Sequence, residues 1–127
     1  MPDIPVERAA DFRSRYATHV ACVLTVFDVT LLCSQIRRGA DGAQVLEQHT
    51  GLTLSWLQAK QLLVSLSVDV CAHEAQHGPI PVPAALLPQV IPPHPDDDPA
   101  TRRVRQAVWD TFQRLRAELD RGAPPAP

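Results

Sequence analysis

His73-Glu74-Ala75-Gln76-His77 is the one stretch of this 127-residue chain whose residue types and spacing match a reaction centre. In HExxH, histidines at i and i+4 share a helix face and bind zinc, while the glutamate polarises the metal-bound water. Read that way, His73 and His77 are metal ligands and Glu74 the general base of a minimal zinc peptidase. The centre needs a third protein ligand. The candidates, His94, Asp96, Asp97 and Glu118, lie beyond a proline-rich stretch or on a later helix, with no second motif. The plainer reading is that the two histidines finish an apolar helix face, so the sequence assigns no catalytic residue, no metal and no cofactor, with zinc as the alternative. Ser55 and Ser67 lack a nucleophile-elbow context, no glycine-rich phosphate loop is present, and Asp96 to Asp98 read as a helix start.

The histidines belong to the best-defined element, Ser55 to Gly78. Ser55 and Gln58 have capping-box spacing, which predicts a helix from Trp56. Gly78-Pro79 supplies a left-handed end followed by a residue that cannot continue the helix. At about 100° per residue, Ala59, Leu62, Leu63, Leu66, Val70, His73 and His77 fall on one face. Leu57, Val64, Val68, Cys71 and Ala75 fall on another. A helix that is apolar on two sides needs two covers, and one small sheet supplies only one. Leu57, Val64, Val68 and Cys71 are therefore expected to form the interface of a homodimer.

Before the helix, His19 to Leu24 alternates as a strand does, and β-branched residues dominate. A tight turn near Val26 to Asp28 leads into VTLLCSQIRR. Gly39-Ala40-Asp41-Gly42 marks a second turn, followed by a third strand with Gly51 as its bulge or kink. After the helix, PIPVPAALLPQVIPPHPDDDP is expected to be an extended strap, because proline lacks the N–H that a helix or central strand uses. Asp98 then caps a second helix with Pro99 at its first position, and Gly122 ends it. Its stripe of Val104, Val108, Phe112, Leu115 and Leu119 is expected to dock on the chain's own domain or on a protein partner, for which an exposed strand edge is the other candidate site.

Net charge is −2 with 20% charged residues, which gives no electrostatic reason to expect nucleic acid as a partner. The three cysteines lack CxxC spacing, and no leader-like sequence opens the chain, so reduced thiols and a cytoplasmic location are expected. The longest apolar run, His19 to Cys33, is too short to span a bilayer and carries Asp28. The expected organisation is an N-terminal arm (1–15), a sheet-plus-helix core (16–83), a proline-rich strap (84–98), a C-terminal amphipathic helix (99–122) and a disordered tail (123–127).

Tyr16-Ala17, Phe27-Asp28, Gln35, Ala59-Lys60-Gln61-Leu62-Leu63 and the run from His73 to Ile80 with Pro83 occur in an order that resembles a small bacterial and archaeal domain-of-unknown-function family. Its helix ends in aromatic-Glu-x-x-aromatic-Gly-x-Ile. The resemblance implies that His73 and His77 occupy positions where aromatics pack, and that Glu74 serves something other than metal. The layout is also similar to that of SecB-type export chaperones. The fold expected is α+β: an antiparallel meander of three strands, or four, with one long helix packed on it, then the strap and the amphipathic helix. The function expected is that of a non-enzymatic, oligomeric adaptor, with a SecB-like holding chaperone or the zinc peptidase as alternatives.

Overall fold

The structure is a computed structural model, and residues 4–121 are described. It is α+β, with three antiparallel strands followed by a long helix and a C-terminal helix: β1 (His19–Leu24), β2 (Asp28–Arg38), β3 (Gln44–Ser55), α1 (Trp56–His77) and α2 (Pro99–Arg121). The chain divides into two compact units, Met1–Ser65 and Leu66–Pro127, with the division falling inside α1.

In the first unit the sheet has the order β1-β2-β3, so β2 is paired on both sides. Both turns form through local chemistry. Thr25 Oγ1 accepts the Phe27 and Asp28 amides at 3.1 and 3.0 Å, folding the first hairpin. In the second, Gly42 has φ +81°, a conformation that favours glycine, and the Gly39 amide donates to the Ala43 carbonyl at 2.7 Å. The bulge is not at Gly51, which pairs regularly with Leu32. Register slips between Cys33 and Ser34, whose partners are Thr50 and Gln48, so His49 is the extra residue. His49 Nε2 lies 3.1 Å from the Tyr16 carbonyl, tying the N-terminal segment to the bulge. That segment has no helix through its described part; it forms a turn closed by Phe12 N–H to Ala9 O, with Arg8 over the Phe12 ring.

β3 passes into α1 without a loop. The capping box is present: the Gln58 amide donates to Ser55 Oγ at 3.2 Å, and the Ser55 amide to Gln58 Oε1 at 3.3 Å. Trp56 Nε1–H donates to the Thr25 carbonyl at 3.2 Å and fixes the helix start against the first hairpin. Among the described residues, the strand pairs β1–β2 and β2–β3 supply the contacts between elements in this unit. Val29, on the central strand, is the one buried hydrophobic residue among those described.

In the second unit α1 ends at Gly78, which has φ +91° and donates to the Glu74 carbonyl at 2.8 Å. The strap departs from a fully extended form at Ala84–Leu86, a single 3-10 turn. Asp98 caps α2, accepting the Thr101 amide at 3.0 Å and the Thr101 hydroxyl at 2.6 Å. Arg105 donates to Asp97, and Arg102 to the Pro95 and Asp97 carbonyls, so the residues before α2 are bound to its second turn. The Gly122 stop and the tail 123–127 lie outside the described residues.

Candidate interaction surfaces

Glu74, the general base of the zinc reading, is engaged elsewhere. Its Oε1 accepts the Ile80 amide at 2.9 Å, satisfying a backbone group just past the helix end. His73 and His77 stack with ring centroids 4.5 Å apart, and His77 Nδ1 is 3.1 Å from the His73 carbonyl. Among the described residues, no three histidine, cysteine or acidic side chains come together to hold a metal ion. Of the third-ligand candidates, Asp97 takes the His94 amide and Arg105, and His94 Nδ1 accepts the Asp96 amide. The His94 amide and then Arg105 hold the Asp97 carboxyl below its usual range, and the Thr101 hydroxyl and amide do the same for Asp98. Both aspartates act as helix-start anions.

What α1 presents instead is apolar surface. Leu57, Val64 and Val68 are 70%, 60% and 62% exposed, and Cys71 is exposed beside them. Leu63, Leu66 and Val70 on the other stripe are also exposed. Leu57, Lys60, Gln61, Val64 and Ser65 line a shallow concavity. Sequence reasoning had placed Lys60 and Gln61 only in polar bands, although their spacing from Leu57 and Val64 was there to be read.

The sheet is open in the same way. Residues paired across strands share a face, so Val20, Cys22, Leu24, Val29, Leu31, Leu52 and Leu54 lie on one side. Ala21, Val23, Leu32, Ile36 and Leu46 lie on the other, with the Thr30 and Thr53 hydroxyls 2.8 Å apart among them. Val20, Leu24 and Leu52 on the first side, and Val23, Ile36 and Leu46 on the second, are exposed.

On α2, Val104, Val108, Leu115 and Leu119 are exposed and Phe112 is half-buried. Pro88 and Val90 of the strap line a groove with Ala107, Val108, Thr111, Phe112 and Leu115. Part of the expected docking stripe thus borders the chain's own strap. Trp109, left out of that stripe, is half-buried with its ring 6.2 Å from Phe112.

Among the described residues, no helix is long and apolar enough to cross a membrane. The chain gave no match to family models, to curated proteins or to solved structures.

Proposed function

We propose that this chain is a non-enzymatic, oligomeric protein-binding module, an adaptor that folds fully only in association and takes a protein partner through its C-terminal helix. The observation that carries the reading is that, among the described residues, Val29 is the one buried hydrophobic residue while apolar residues are exposed on both sheet faces, both α1 stripes and α2. Exposed apolar patches of this extent mark association surfaces. Support for a homo-oligomer comes from Leu57, Val64, Val68 and Cys71, which are solvent-facing in the single chain. Support for a protein partner comes from the apolar groove between Pro88, Val90 and α2. The engagement of Glu74 by Ile80 and of Asp97 by Arg105 favours this over the peptidase.

Light scattering on the full chain, followed by a pull-down with and without residues 101–127, tests the reading. We expect a defined oligomer in both forms and a specific partner lost on truncation. A monodisperse monomer would overturn it. A defined oligomer that suppresses aggregation of unfolded clients without a specific partner would replace the adaptor with the SecB-like holding chaperone.

A further inference from the structure

Along α1, Leu57, Gln61, Val64, Val68, Cys71 and Ala75 follow one another at intervals of four, three, four, three and four residues. That is the 3.5-residue repeat of a coiled-coil seam, kept over nearly three heptads. The concavity on this face is lined by Leu57, Lys60, Gln61, Val64 and Ser65, of which the first four are the i, i+3, i+4, i+7 set that forms a hole for a knob from a facing helix. The seam carries small residues toward its C-terminal end, and Gln61 is its one polar member.

We infer that α1 pairs with α1 of a second copy, antiparallel, about a two-fold axis beside Ser67; this deepens the oligomeric reading above and depends on it. Charge selects both the occupant and the direction. Lys60 and Glu74 flank the seam at equivalent heptad positions, each seven residues from Ser67. In an antiparallel pair, flanking positions of the same kind face one another, so Lys60 meets Glu74 of the second copy and Glu74 meets its Lys60. In a parallel pair Lys60 would meet Ser65, and Glu74 would meet Pro79, outside the helix. The same register matches sizes, setting Leu57 against Ala75, Gln61 against Cys71, and Val64 against Val68, each twice by symmetry. Glu74 keeps one oxygen on the Ile80 amide and offers the other across the interface.

Lys60 is the only lysine in the chain, which makes a direct test available. A carbodiimide joins a lysine amine to a carboxylate without a spacer. Within one chain Lys60 and Glu74 are fourteen residues apart, about 21 Å along a helix, and cannot be joined. Treating an equimolar mixture of 14N and 15N protein is expected to yield a Lys60–Glu74 linked peptide pair of mixed isotopes. Glu74→Gln, which retains an acceptor for Ile80, is expected to abolish it. Lys60→Glu is expected to weaken dimerisation about tenfold, and Lys60→Glu combined with Glu74→Lys to recover most of that loss. An oligomer by mass in which Lys60 links to other carboxylates or to none would overturn this pairing and leave the association reading standing. A monomer by mass would overturn both.

Discussion

Leu57→Ala separates a chain that is complete by itself from one that is completed by company. At 70% exposure in the single chain, Leu57 should contribute almost nothing if the monomer is the working form, and truncation would change stability by less than about 0.5 kcal/mol. If the residue is buried between copies, the same change removes an interface side chain and costs about 2–5 kcal/mol per site. The assay is urea unfolding followed by far-UV circular dichroism at several protein concentrations. For a dimer whose folding is coupled to association, each tenfold dilution lowers stability by about 1.4 kcal/mol. With a urea dependence of about 2 kcal/mol per molar, the midpoint falls by roughly 0.7 M per decade. We expect that dilution effect in the wild-type chain and a midpoint at least 1 M lower in Leu57→Ala. A midpoint independent of concentration, together with a neutral Leu57→Ala, would refute the reasoning.

Three further outcomes follow from named contacts. Ser55→Ala removes the acceptor for the Gln58 amide and is expected to cost about 1 kcal/mol, read from the same unfolding curves. Gly78→Ala forces a side chain into φ +91° and should cost about 1 kcal/mol, whereas Gly51→Ala, in a regular pair with Leu32, should leave stability near wild type. Asp97 and Asp98 are held below their ordinary value of 3.8. Their contribution to the start of α2 is therefore fully present above that pH and is lost as pH falls through the lowered folded values. Hydrogen exchange at the Thr101 and Arg102 amides should accelerate relative to mid-helix amides over that acid range in the wild type but not in Asp98→Ala.

The parts legible in the sequence were those decided within a few residues. Ser55 with Gln58, Gly78 with Pro79, and Asp98 with Thr101 specify helix ends through contacts spanning three residues or fewer, and Thr25 to Asp28 and Gly39 to Ala43 close their turns in the same local way. The bulge was missed because a glycine drew the expectation to Gly51, while its actual place at His49 is set by how β2 and β3 fit across the sheet. The 3-10 turn at Ala84–Leu86 was hidden by the prolines around it, though Pro83 accepts at its carbonyl like any residue. Periodicity showed that α1 is apolar on opposite sides, but it says nothing about what does the covering. The HExxH spacing was a true match to a pattern whose glutamate turns out to serve the backbone at Ile80.

The junction between Ser55 and Trp56 has a consequence for how this molecule tolerates change. With no spacer between strand and helix, the phase of one dictates the phase of the other: inserting a single residue there would rotate every later α1 side chain by about 100° relative to β3. Such an insertion would swing the Leu57–Val64–Val68 row a quarter-turn away from where it now faces, without altering one apolar residue. The hairpin at Gly39 to Ala43, which carries no such row behind it, can lengthen freely, so length variation should accumulate at that loop and be purged at the strand-to-helix joint.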